Sequence, residues 1–212
     1  MVSSGLYAWV VAALDFKLVT IAVVVGLLGV FGLAVWLSRA LRDKTAQAAV
    51  EMGRSGAAAE GLNILRRRIE AVGPSADRLN ALGTLLNLSG EPGEALKALA
   101  SAESLLTFQD RSFTPLPMEI SCNRMRALRA LNRAAEALDL GVGLLAKNRE
   151  AFRVRVELLL TLAQLGRWDD ARSELVRLER QFEPMKGAPF AAAQEYQRLL
   201  QVCQARLSHA PH

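Results

Sequence analysis

Apolar positions fall into two regimes along the 212-residue chain. From Leu18 to Leu37 the sequence LVTIAVVVGLLGVFGLAVWL is apolar almost throughout and carries no charge. A helix of this length, at about 1.5 Å per residue, spans roughly 30 Å, the thickness of a bilayer's hydrocarbon core. Asp15 and Lys17 bound the stretch on one side; Arg39, Arg42, Asp43 and Lys44 bound it on the other. A charge at mid-span costs about 2.5–3.5 kcal/mol, so these residues mark the ends of a transmembrane helix over 18–37. Trp36 sits at an interfacial position, and Tyr7 and Trp9 place a short interfacial segment over 1–17. A cleaved signal peptide fits poorly, because its apolar core is about 7–15 residues long and follows a basic leader. The leader here, GLYAWVVAALDFK, is nearly neutral.

Lys and Arg are more numerous after the span than before it, which predicts the N-terminus outside and the remainder of the chain in the cytoplasm. Ala22, Gly26, Gly29 and Gly32 recur at spacings of three and four, a face on which another membrane helix can pack closely. Arg39, Arg42 and Lys44 are placed to meet lipid head groups, as is the run Arg66, Arg67 and Arg68. No Pro- or Gly-rich linker follows the span, so the membrane helix is expected to continue through SRALRDKTAQAAVEMGR.

Beyond Ser38 the pattern becomes that of short amphipathic helices, rich in Ala, Leu and Arg. Four segments align: RSGAAAEGL, LSGEPGEAL, LNRAAEAL and LGRWDDAR. Gly56 and Gly90 are 34 residues apart, as are Asn132 and Gly166, and five residues after each stands Gly61, Ala95, Ala137 or Ala171. A period of 34 belongs to helix–turn–helix units that hide their apolar faces only by stacking. A turn glycine takes positive φ at little cost, and the small residue lets the two helices approach, so a bulky substitute at Ala95 or Ala171 should cost about 1–3 kcal/mol.

This pattern resembles the tetratricopeptide repeat family. Leu79, Leu82, Gly83, Leu86, Gly90, Ala95, Leu99 and Ala102 fit its small and large positions in one copy, and Leu158, Leu159, Leu162, Gly166, Trp168, Ala171 and Leu175 in another. Departures are Arg68 and Met125 at positions where small residues are expected, and Asn132 in place of a turn glycine. The expected fold is all-α: a transmembrane helix, then an α-solenoid over 38–182 with repeats near 42–75, 76–107, 118–151 and 152–183. Residues 183–212 supply a capping helix and tail. The spacing from Gly90 to Asn132 is 42, and the extra residues fall in TFQDRSFTPLP, where Pro115 and Pro117 predict a loop over 107–117 with Phe108 and Phe113 as possible contacts.

The resemblance also implies a concave groove lined by the first helix of each repeat. Carried onto this chain, it points to Asn80, Thr84, Asn87, Cys122, Arg126, Arg129 and Arg153. Amides there can meet an extended backbone and guanidinium groups can hold carboxylates, as in an acidic segment or a chain terminus.

Chemistry is otherwise sparse. No P-loop, GxGxxG, HExxH or GxSxG motif is present, and both histidines, His209 and His212, lie in the tail. Cys122 and Cys203 lack the spacing of a zinc or disulfide framework. The reading is therefore a non-enzymatic protein without cofactor or metal. The net charge of +5 suits an anionic membrane face or acidic partners, and no basic stripe interleaved with aromatics suggests nucleic acid. The expected role is a bacterial inner-membrane scaffold or assembly factor; the alternatives are a structural accessory subunit of a membrane complex and a periplasmic holder.

Overall fold

The computed structural model describes residues 43–185 and 191–208. The predicted membrane span with Ala22, Gly26, Gly29 and Gly32, the segment 1–17, Arg39 and Arg42, the tail histidines and the Phe113 side chain lie outside the described residues. Among the described residues no helix is long and apolar enough to cross a membrane.

All regular structure among the described residues is helical, with ten α-helices and a 3₁₀ turn at Glu183–Met185. Eight helices form four antiparallel hairpins: α1 (Lys44–Arg54) with α2 (Ala58–Val72), α3 (Ala76–Leu88) with α4 (Pro92–Ser104), α6 (Leu116–Ala130) with α7 (Ala134–Lys147), and α8 (Phe152–Gln164) with α9 (Trp168–Phe182). The short α5 (Phe108–Phe113) is inserted between the second and third, and α10 (Ala191–Ser208) closes the array. The first helices of the hairpins pack on one another in chain order, α1 on α3, α3 on α6, α6 on α8 and α8 on α10. Each second helix packs on the first helix of the next hairpin. The result is a stack with one face made of first helices.

The four hairpin turns share one geometry. Gly56, Gly90, Asn132 and Gly166 have φ of 99°, 77°, 60° and 73°. In each, the positive-φ residue donates its N–H three residues back and its successor donates five residues back, as in Gly90 N to Asn87 O at 3.3 Å and Glu91 N to Leu86 O at 2.9 Å. This is the Schellman arrangement, which satisfies carbonyls that a helix end leaves open. Asn132 serves because a short amide side chain tolerates left-handed backbone better than most residues. Five residues on, Gly61, Ala95, Ala137 and Ala171 are all buried. A Cβ on Gly61 would come within 2.5 Å of Ala49 O, so the small residue is a steric requirement of the hairpin.

Two expectations need correction. The segment 107–117 is not a loop. Thr107 and Asp110 form a capping box, with the Asp110 N–H donating to Thr107 Oγ1 at 3.1 Å and the Thr107 N–H to Asp110 Oδ2 at 2.9 Å, and this nucleates α5. Helix α6 then starts at Leu116 with Pro115 as its N-cap residue and Pro117 in its first turn, where the missing N–H would have had no intrahelical partner anyway. The second correction concerns the chain entering α1. Asp43 is an extended N-cap residue, ψ 102°, whose Oδ1 accepts from the Thr45 N–H at 2.9 Å and the Ala46 N–H at 3.3 Å. Helix α1 therefore begins at Lys44 and does not run back through Asp43.

The apolar interior is divided along the stack. Leu65, Leu85 and Ala95 anchor the first two hairpins; Met125, Val154, Leu159, Leu178 and Cys203 anchor the last two and α10. Fully burying each large aliphatic side chain contributes about 1.5–3 kcal/mol. The terminal α10 covers the open end, with Tyr196 stacked on Phe152 at a ring separation of 4.1 Å.

Candidate partner-binding face

The face made by the first helices carries a polar seam through otherwise apolar packing. Asn80, Thr84 and Asn87 on α3 are successive turns of one helix face. All three meet Asn123 of α6: its Nδ2 donates to Asn80 Oδ1 and to Thr84 Oγ1, both at 2.9 Å, and its backbone carbonyl accepts from Asn87 Nδ2 at 3.0 Å. The Asn87 Oδ1 atom is buried and has no partner. The seam continues as Arg126 Nη1 donates to Asn123 Oδ1 at 3.3 Å.

Two arginines then converge on one carboxylate. Arg126 Nε donates to Glu157 Oε1 at 2.6 Å and Arg129 Nη2 to Oε2 at 2.7 Å. The Glu157 side chain is 2% exposed, against 15% for Arg129 and 41% for Arg126. Within this triad one buried negative charge faces two positive charges, and beside it Arg153 faces the two carboxylates of Glu119 and Glu195. Burial opposes the charge on Arg126, yet Glu157, with smaller pulls from Cys122 and Glu195, tips the balance and raises its pKa, whereas for Arg129 burial prevails and lowers it. Gln164, exposed at the end of α8, donates to Arg129 O at 2.9 Å and closes this end of the seam.

Arg153 joins three helices: it donates to Glu195 of α10 at 2.8 and 2.9 Å and lies 3.6 Å from Glu119 of α6. Cys122 is placed differently. It is 3% exposed, belongs to the apolar core, and burial, with a smaller push from Glu157, raises its thiol pKa to about 12. Cys203 is fully buried and likewise raised to about 12. Neither thiol is a nucleophile or a surface contact. Among the basic residues assigned to lipid, Lys44, Arg66 and Arg67 are exposed, while Arg68 pairs with Asp43 at 3.4 Å.

The residues missed from the sequence are Asn123, Glu157, Glu119 and Glu195. A signal existed. Glu157 is the lone acid in the apolar helix FRVRVELLLTLAQ, and it follows Asn123 by one 34-residue period. Both occupy the repeat position that looks across to the preceding first helix.

The opposite side of the stack carries a cleft of about 580 Å³ between α7 and α9, floored by Leu138, Leu158 and Leu162 and edged by Asp139, Val142 and Arg177. Glu174 lies in its wall, 6% exposed, tied to Arg155 at 2.7 Å and also to Arg177. No cluster of three His, Cys, Asp or Glu side chains suited to a metal ion occurs among the described residues. These features define a class, an all-helical array of stacked hairpins with a polar inter-repeat face. No protein-family model and no curated protein matches the chain.

Proposed function

We propose that the chain is a membrane-anchored adaptor of tetratricopeptide-repeat type that holds a partner protein on the face of its first helices. The observation that carries this reading is a pair of part-exposed guanidinium groups on this face, Arg126 and Arg153, that already hold carboxylates of this chain, Arg126 that of Glu157 and Arg153 those of Glu195 and Glu119. An extended acidic segment or a C-terminal carboxylate suits these guanidinium groups by exchanging with the carboxylates they now hold, and the exposed Gln164 lies on the same face. Four hairpin turns in one register support the family assignment. The uncharged stretch 18–37 supplies the anchor, with the N-terminus outside and the repeats on the cytoplasmic side of a bacterial inner membrane. Its Ala22, Gly26, Gly29 and Gly32 face offers a second contact, to another membrane helix. The protein works by binding and carries out no chemistry.

A second reading is a structural accessory subunit of a larger membrane complex. It is favoured by the mutual engagement of Asn80, Thr84, Asn87 and Asn123, which leaves fewer polar groups free for a visiting peptide. Co-purification in mild detergent separates the two. The pair Arg126→Gln and Arg153→Gln leaves Arg129 on Glu157, and thermal denaturation of the variant shows whether the junction of Arg153 with Glu195 and Glu119 was needed for the fold. Loss of the co-purifying protein supports the adaptor. Retention by this variant, with loss when residues 18–37 are exchanged for an unrelated apolar span, supports the subunit.

A further inference from the structure

The first described residue lies at one particular edge of the stack. The Asp43 N–H donates to Asp77 Oδ2 at 3.2 Å, and the Asp43 carboxylate takes Arg78 at 2.6 Å and Arg68 at 3.4 Å. The starts of α1 and α3 and the end of α2 therefore meet there. Ala76 at the start of α3 shares an apolar cluster with Ala102 near the end of α4, Leu116 at the start of α6, and Leu106. First helices begin at this edge, second helices end at it, and α5 is attached to it.

The same edge exposes apolar side chains. Phe108 is 78% exposed, Val72 46% and Leu105 43%. An aromatic ring so fully in water is unusual, and α5 is not loose, since its capping box fixes the first turn. Lys44 and Arg111 are exposed on this edge, and Asp110 is engaged by its own cap. The opposite edge consists of the hairpin turns.

Chain length says what covers this patch. Only residues 38–43 separate the end of the apolar stretch from α1. Six residues reach about 20 Å when fully extended, which is the farthest that a bilayer entered at Leu37 can lie from the start of α1 at this edge.

We infer that this edge is a second membrane contact, in which Phe108 with Leu105 enters the head-group boundary of an anionic bilayer and fixes the stack's tilt. The inference rests on the anchor proposed above. An interfacial aromatic of this kind sits some 5–10 Å into the boundary, with basic neighbours drawn to anionic lipid.

The buried Cys122 and Cys203 leave an introduced cysteine as the sole reactive thiol. Full-length Phe108→Cys and, on the turn edge, Leu88→Cys (Leu88 is 49% exposed) are labelled with an environment-sensitive dye. Each is incorporated into vesicles of phosphatidylcholine and phosphatidylglycerol containing lipid with a spin-label quencher near the head groups. The expected result is emission shifted to the blue at position 108 and quenching at least about twofold stronger than at 88, since only an inserted group reaches that depth. Equal quenching at the two positions in chains that resist alkaline extraction would overturn the edge contact and leave the anchor standing. Release of the chain from the vesicles at alkaline pH would remove the anchor and this inference together.

Discussion

Met125 and Gly141 form a matched pair in which the large and small partners have changed places relative to the neighbouring hairpin. A Cβ on Gly141 would lie 2.7 Å from Met125 Cε, while in the second hairpin a Cβ on Gly83 would lie 2.5 Å from Leu99 Cγ. Gly83 and Met125 are equivalent positions of the first helix; Leu99 and Gly141 are equivalent positions of the second. The departure at Met125 is thus balanced across the hairpin, and the interhelical space is filled from the opposite side.

A reciprocal exchange tests this. Gly141→Leu should overpack the third hairpin and destabilise it by about 1–3 kcal/mol. Met125→Gly should leave a cavity and cost about 2–5 kcal/mol. The double substitution, which recreates the second hairpin's arrangement, should recover much of the summed loss. Urea denaturation of the four proteins measures the coupling; simple additivity would show that the two side chains do not share one space.

Glu157 predicts a separation of stability from binding. Glu157→Gln leaves two arginines without their buried partner and should cost about 3–5 kcal/mol. Replacing the triad at once, by Glu157→Met, Arg126→Met and Arg129→Leu, should come out close to neutral in thermal denaturation, because no charge is left buried alone. The same triple variant should lose the acidic partner, since Arg126 and Arg129 no longer offer guanidinium groups to it.

Asp43 gives a pH signature. Burial works against its charge, but Arg78, Arg68 and two backbone N–H groups outweigh it and hold its carboxyl at about 2, below the ordinary 3.8. The folded state thus binds protons less readily than the unfolded one between those values. The stabilisation is complete above about pH 4, amounts to roughly 2 kcal/mol, and disappears as pH falls through about 2. Asp43→Asn retains a capping side chain and loses the charge. Its deficit in urea denaturation should be present at pH 7 and close between pH 4 and 2; no deficit at either pH would assign Asp43 a capping role alone.

The hairpins were legible because their chemistry is local. The positive-φ positions Gly56, Gly90, Asn132 and Gly166, and the small residues five places on, are set by sterics within about ten residues, so spacing alone placed them. Helix α5 was not legible, because two prolines outweigh a six-residue helix until the Thr107–Asp110 cap is recognised. The polar seam was half legible. Arg126 and Arg129 stood out as charges on a helix face, but their partner Glu157 comes from the next hairpin, and the contact exists only after stacking. Cys122 falls at a groove position by the family resemblance, yet it lies in the apolar core that the last two hairpins share.

A partner protein held on the face of the first helices must come within reach of side chains on that face. A photo-crosslinking amino acid placed at Gln164 on that face, or at Val176 on exposed α9, reads this directly in intact membranes. A discrete protein adduct is expected from position 164, diminished when Arg126→Gln and Arg153→Gln are added, with none from 176. An adduct from 176 alone would contradict this placement of the partner.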